Sequence, residues 1–268
     1  MLLENDSARV EIDLARGGRI SSFRIDGMEI LVGPTEGLLD WGCYPMAPWA
    51  GRLRHGRFEY ARQSFQMPLS LPPHAIHGTV HQRAWEVEGE ACASAGLGHD
   101  WPFSGRAVQN FALEESALRL RLEIHSEGES FPASLGWHPW FLRELSRGEP
   151  AELSFHARAM YARSADAIPT GEKVDVPEGP WDDCFVGVDS APEIRWPGAL
   201  KLRLVSDASH WVVYDEPAHA ICVEPMTGPP DALNLLPVEV HPDRPLVAEF
   251  ELQWEREGEL SPGDSGGA

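Results

Sequence analysis

Residues 118–124 read LRLRLEI and residues 246–254 read LVAEFELQW. In the first, Leu118, Leu120, Leu122 and Ile124 alternate with charges; in the second, Ala248, Phe250, Leu252 and Trp254 alternate with polar residues. A period of two puts each apolar set on one face of a β-strand. Working outward, shorter runs of the same kind predict strands at 8–14, 19–25, 28–32, 57–60, 64–67, 84–88, 107–113, 200–205, 211–214 and 220–223. Asp26-Gly27 sits between two apolar runs as a hairpin turn would, and Ala61-Arg62-Gln63 and Glu114-Glu115-Ser116 separate further pairs. No segment holds a 3.6-residue apolar stripe for three turns. Short helices are expected only at 36–41 and 231–236. With 25 Gly and 23 Pro to punctuate it, the chain predicts an all-β fold, a large antiparallel β-sandwich with long loops. Residues 163–198, rich in Pro, Gly and acid, read as one long loop of the kind that forms lids and rims. A single domain is expected over 1–255, followed by a disordered tail at 256–268.

Charge narrows the chemistry. The 268 residues carry 22 basic and 42 acidic side chains, a net charge of −20. That field repels polyanions, so no nucleic-acid partner is expected. No Gly-Lys dipeptide exists for a P-loop. Lys173 and Lys201 are the only lysines and both read as solvated, which argues against Schiff-base and pyridoxal chemistry. Cys43, Cys92, Cys184 and Cys222 are scattered without a Cys-x-x-Cys pair, the pattern of reduced and mostly buried thiols. No apolar run is long enough for a transmembrane helix, and the N-terminus lacks the flanks of a signal peptide. A cytoplasmic protein without a membrane partner is expected, as a monomer or homodimer. With 43% hydrophobic residues it can bury a core, and the surplus charge, arginines included, reads as a solvating surface.

Three clusters could carry chemistry. His74, His77 and His81 lie in LPPHAIHGTVH, and His138 lies in LGWHPWF. A shared metal among the first three is countered by Pro72-Pro73 and Gly78, which disfavour a helix, and by the lack of a carboxylate at ligand spacing. The ordinary reading of each is a core histidine. It is weakest at His138, where Trp137, Pro139, Trp140 and Phe141 would desolvate the imidazole and disfavour its charged form. Glu224 ends the apolar run 220–223, and a carboxylate at the end of a buried strand should hold its proton more tightly. Asp182-Asp183 in PWDDCF reads equally well as a solvated turn. Arg54 and Arg57 fit a solvated face, whereas Arg52 follows an apolar stretch and offers forked donors for oxygen ligands. A base-type carboxylate, one or two histidines, an arginine and several tryptophans, without a nucleophile motif, suit proton shuttling on a neutral polyhydroxylated ligand.

At these residues the sequence resembles the aldose 1-epimerases, or galactose mutarotases. YPMAPWAGRLRHGRF is similar to the family's proline-rich segment ending in Asn-Arg, LPPHAIHG to its His-Gly motif and LGWHPWF to its Gly-x-His-Pro-aromatic-Phe motif. CVEPMTGPPDALN resembles its Glu-Pro segment, PWDDCF its Asp-His-x-Phe element, and GGRISSFRIDGMEIL its N-terminal hairpin. The ordered set runs from Gly17 to Leu252. The resemblance implies a β-sandwich of the galactose-mutarotase type, a supersandwich, and a cofactor-free interconversion of the α and β anomers of a free aldose such as glucose or galactose. It implies Glu224 as general base on the C1 hydroxyl and His138 as general acid on the ring oxygen. It also implies His77, Arg52 and Asp182 as substrate-binding residues, with Trp140 contributing an aromatic surface. If Glu224 and His138 are close, each should favour the other's charged form. Two positions depart from the pattern, Gly51 in place of Asn and Asp183 in place of His. A hexose-6-phosphate epimerase drawing on Arg52, Arg54 and Arg57, a non-catalytic sugar-binding module, and a metal-dependent enzyme using His74, His77 and His81 compete with this reading.

Overall fold

The computed structural model describes residues 1–257. Among these, the strands form a twelve-stranded sheet, an eight-stranded sheet and three two-stranded ribbons, with every paired strand antiparallel to its neighbour. The two alternating segments are the centre of the eight-stranded sheet. Strand Ala117–Ser126 pairs with Leu246–Arg256 in the register Leu118↔Leu252, Leu120↔Phe250 and Leu122↔Ala248. Strand Leu200–Ser206 continues the layer, with Leu202 opposite Trp254 and Leu204 opposite Leu252. All these apolar side chains are buried.

The outer face of the same strands carries a charge ladder, Arg119 to Glu251 at 3.1 Å and Arg121 to Glu249 at 2.7 Å. Such exposed pairs are each worth about 0–1 kcal/mol, whereas a buried leucine contributes several times that, so the apolar face decides the register. Leu120→Ala is therefore expected to lower unfolding stability by about 2–5 kcal/mol in urea titration. A loss below about 1 kcal/mol would contradict the packing.

The twelve-stranded sheet stacks on this layer. Phe23 meets Trp254 edge to face at 5.7 Å, and Trp137 meets Phe250 at 5.8 Å. The Trp137 indole N–H donates to Gln109 Oε1 across the interface at 3.0 Å, which satisfies both buried groups. The central strands of this sheet are covered on both faces. On Ala220–Met226, Ile221 and Val223 enter the sandwich core, while Ala220, Cys222 and Met226 join a second apolar cluster with Tyr44, Met46, Trp140 and Cys184 on the opposite face. That is why residues 220–223 are apolar throughout rather than alternating.

The predicted hairpin turns are present. Asp26 and Gly27 both have positive φ, and the turn joins Arg19–Ile25 to Met28–Glu29. Ala61 and Arg62 do the same between Arg57–Tyr60 and Gln63–Gln66. A short helix forms at Ala232–Leu235, inside the expected 231–236. Residues 36–41 do not form a helix; Thr35 Oγ1 instead bonds Asp40 Oδ1 at 2.6 Å and ties the segment into bends. The tract 163–198 is not one loop. It contains strands Pro169–Val174, Asp182–Val186 and Glu193–Trp196, which join the two large sheets. Strand Leu246–Arg256 runs one residue beyond the expected end of the domain, and Arg256 ion-pairs with Asp26 at 2.6 Å. The remainder of the expected tail, 258–268, lies outside the described residues. No described helix is long and apolar enough to cross a membrane. Cys43, Cys184 and Cys222 are buried and Cys92 is partly buried, all as free thiols.

Candidate active site

On the face of the twelve-stranded sheet away from the sandwich core lies a cavity of about 240 Å³. Arg52, His77, His138, Trp140, Asp182 and Glu224, the six residues singled out by sequence, all line it. Its floor is strand pairing. Cys43–Met46 lies beside Gly136–Pro139 with Tyr44 opposite His138, and Gly136–Pro139 lies beside Ala220–Met226 with Gly136 opposite Met226. Val212 of His210–Tyr214 is opposite Glu224.

Glu224 and His138 meet at the centre, with Nε2 to Oε1 at 3.3 Å and both side chains buried. Burial pushes the Glu224 carboxyl well above its ordinary value; Asp182 adds to this and Arg52 opposes it. Burial likewise lowers His138 to about 3, helped by His81, Arg19 and Arg52. The two are close, as expected, but burial pushes each toward its neutral form. Burial thus favours the arrangement in which a proton shared by the pair sits on the glutamate over the ion pair.

Aromatic packing fixes the imidazole. Tyr44 stacks on His138 at 4.9 Å and 25°, Trp140 at 5.3 Å and 11°, and His77 approaches edge-on at 5.1 Å. Trp140 also stacks on His219 at 6.1 Å and meets Tyr214 edge to face. Its ring is thus engaged by protein, which leaves its edge rather than an open face to serve a ligand. Three buried polar atoms on lining side chains have no hydrogen-bond partner: His77 Nδ1, His138 Nδ1 and Trp140 Nε1.

His77 is held in the left-handed region at φ 59°, and its N–H donates to Gly51 O at 3.0 Å. Gly78 follows at φ 73°, where a Cβ would lie 2.0 Å from the Ala47 carbonyl oxygen, so only glycine fits. The ribbon of Arg52–Leu53 with Ala75–Ile76 sets Arg52 opposite Ile76, next to His77. Arg52 Nη2 then reaches Asp182 Oδ2 at 3.2 Å. Asp231 anchors this segment from below, its N–H donating to Arg52 O and its carboxylate accepting from the Arg54 N–H at 2.9 Å.

The two departures from the expected pattern have structural settings. A Cβ on Gly51 would lie 2.8 Å from the Pro230 ring, so Pro230 occupies the space a larger residue would need, and both residues line the cavity. On strand Asp182–Val186, Asp182 shares the cavity face with Cys184, whereas Asp183 points away to Arg163 Nε at 2.8 Å. Burial raises the Asp183 carboxyl, partly offset by Arg163.

The three clustered histidines part company. His74 leaves the cavity, accepting from the His55 N–H at 3.1 Å and bonding Asp166 O at 3.0 Å. His81 Nδ1 donates to the His77 carbonyl at 3.0 Å, so this ring braces the backbone of His77. Arg54 pairs with Asp166 and Asp231, and Arg57 donates to Gln66, so neither reaches the lining.

Tyr44, Tyr214 and Glu216 also belong to the site or its packing and were not singled out by sequence. Tyr44 lies 94 positions before His138, and only strand pairing brings them together. A further sequence expectation fails at Arg19, which reads as part of a solvated surface and is fully buried behind Tyr44.

Comparison with known proteins gives this geometry a context. Residues 1–216 match the family model described as aldose 1-epimerase. Among curated proteins of Escherichia coli K12, the uncharacterized protein YihR is 24% identical over 222 residues, covering 70% of each chain. The uncharacterized protein YphB is 26% identical over 147 residues, 52% of this chain and half the length of that protein. Among solved structures, a galactose mutarotase-like protein from Clostridium acetobutylicum superposes with a TM-score of 0.83 at 14% identity, covering 95% of this chain and 94% of that one. A galactose 1-epimerase from Lactobacillus acidophilus gives 0.79 at 16% identity, covering 96% and 94%. At these identities the structural likeness speaks for the fold.

Proposed function

Because the chain belongs to the aldose 1-epimerase family, we propose that it interconverts the α and β anomers of a free aldose through Glu224 and His138. The observation that carries this reading is the buried 3.3 Å contact between a carboxyl and an imidazole in a cavity of about 240 Å³, space for one monosaccharide.

Without sugar, burial favours the arrangement with the shared proton on Glu224. Passing it to His138 Nε2 creates the carboxylate and imidazolium that the reaction uses. Sugar hydroxyls favour that charged form by bonding to the pair, and they can also satisfy His77 Nδ1 and Trp140 Nε1. Glu224 then takes the proton of the C1 hydroxyl while His138 gives its proton to the ring oxygen. The C1–O5 bond breaks and the C1–O1 bond becomes the aldehyde C=O. Rotation about C1–C2 presents the other carbonyl face, and the reverse transfers close the ring. The net proton count is unchanged. Arg52 and Asp182, already paired, offer donors and an acceptor to the remaining hydroxyls.

Among the described residues lining the cavity, Arg52 is the one cation, and it is spoken for by Asp182; Glu216 adds a further carboxylate. This supports an uncharged sugar over a sugar phosphate. We expect freshly dissolved α-D-glucose or α-D-galactose, or another aldose from a panel, to lose optical rotation faster with enzyme than in buffer. We also expect kcat/KM to be higher for glucose than for glucose 6-phosphate. A reversed preference would favour the phosphate reading, tight binding without acceleration a sugar-binding module. Without binding or acceleration for any aldose, the proposal fails.

A further inference from the structure

Among the described residues Arg19 is the fully buried arginine, and its hydrogen-bond partners contain no carboxylate. Its guanidinium donates to four carbonyl oxygens, those of Arg16 at 2.8 Å, Leu38 at 2.8 Å, Trp41 at 3.2 Å and His81 at 3.3 Å. It also lies over the Trp41 ring at 4.2 Å and the Tyr44 ring at 4.9 Å. Burial lowers its pKa to about 10, so it remains a cation at neutral pH. A buried charge held only by neutral dipoles and π-faces is costly, and an apolar side chain would fill the same space more cheaply.

Its contacts lead to both cavity histidines. Tyr44, over which it lies, stacks on His138. His81, whose carbonyl it holds, donates from Nδ1 to the His77 carbonyl. We infer that Arg19 is a positioning residue for the active site: a permanent cation beneath its floor that braces His138 and His77 and sets the pH range over which the His138–Glu224 pair works. The second half of this inference rests on the reading of that pair as the acid–base machinery.

Other charges also face the pair and must be held constant. The thiol of Cys222 comes from strand Ala220–Met226, Tyr44 and Cys43 from Cys43–Met46, and Asp182 and Cys184 from Asp182–Val186, while Glu216 lines the cavity. His77, His81 and Arg52 approach from the loop side. Arg52 is ion-paired with Asp182, whereas Arg19 has no carboxylate among its hydrogen-bond partners; the ion-paired Asp13 and Arg16 on its far side act on it with opposite signs and must be held constant too.

The two ring contacts put the guanidinium within about 10 Å of His138, a distance at which one charge shifts a partly buried titration by about one pH unit. Removing a cation makes every protonation of the pair easier. Arg19→Gln is thus expected to move the whole pH–rate profile of mutarotation upward by about one unit. Arg19→Lys, which keeps the charge, should leave it in place even if it melts earlier. Arg19→Met serves as a second neutral variant should Arg19→Gln not fold.

The His138 Cε1–H proton resonance titrates with the pair and needs no turnover. Its midpoint should move in the same direction and by the same amount. Parallel displacement of both readouts in the neutral variants, and in neither for Arg19→Lys, supports the inference. Loss of melting temperature with both profiles unmoved overturns it and leaves Arg19 a structural residue. If no aldose is turned over by the parent enzyme but the resonance still shifts, the functional reading fails while the electrostatic role stands.

Discussion

Glu224→Gln is expected to lower the proposed mutarotation rate by about 10²–10⁴-fold, because the amide cannot accept the proton of the C1 hydroxyl. The loss falls on kcat with KM little changed, since the amide keeps the shape and the contact to His138. The same substitution should raise thermal stability at neutral pH. Burial raises the folded-state pKa of Glu224 well above the 4.5 of an exposed glutamate. Above pH 4.5 the unfolded chain releases this proton and the folded chain retains it. Stability contributed by the protonated group is thus complete below pH 4.5 and is lost as pH rises toward the folded-state value, at about 1.4 kcal/mol per unit. Glutamine carries no such slope. Melting curves should show the variant ahead of the parent at pH 7 and the gap closing toward pH 4.5. An inactive but more stable protein separates a lost base from a damaged fold. Full activity in this variant would remove Glu224 from the mechanism.

His138→Gln should cost a similar about 10²–10⁴-fold in kcat, here by removing the acid on the ring oxygen. Combining it with Glu224→Gln should add little, because one proton passes between two groups acting as a unit. Multiplicative losses in the double variant would mean that the two act independently. The stability signature has the opposite sign at neutral pH. His138 loses its stacks on Tyr44 and Trp140, each worth about 0.5–1.5 kcal/mol beyond burial, so the variant should melt below the parent. On the acid side the order narrows. The folded-state pKa of His138 is lowered to about 3 from 6.5, so stability present above pH 6.5 is lost as pH falls through that window. His77, His81 and His210 are lowered for the same reason, burial, and keep their own slopes. The variant should therefore lose less stability than the parent between pH 6.5 and 4.

How far the sequence carries is clear from individual segments. Leu118 to Ile124 alternates without interruption because one face is buried and the other carries an ion-pair ladder, so its strand is legible from period alone. Strand Asp182–Val186 is only five residues long, lies between Pro180 and Gly187, and starts with two acids, so composition marks a loop where pairing makes a strand. Asp182, singled out by its motif rather than its local structure, lines the cavity. At 36–41, where a short helix is expected, Leu38 is instead exposed and Leu39 lines the cavity. Arg19 was invisible for a different reason. It sits at the start of an ordinary strand, and its burial comes from Trp41, Tyr44 and His81, residues 22 to 62 positions away. One-dimensional spacing reports which face a residue takes, and says little about what closes over it.

The paired floor of the cavity also bears on how the chain acquires activity. Ninety residues separate Met46 from Gly136, and another ninety separate Gly136 from Met226, yet the three strands lie side by side. Closing two loops of that length is slow in chain-entropy terms, and β-proteins built on such distant pairings fold over about milliseconds to seconds. The stretch 43–226, about two-thirds of the chain, is needed to hold the imidazole and the carboxyl in these three strands. On refolding, hairpins such as Arg57–Gln66 can form from neighbours, whereas turnover has to wait for the last long-range zipper to shut. Recovery of the proposed mutarotation is then expected to be a late clock for this topology, running behind the return of β-structure followed by circular dichroism.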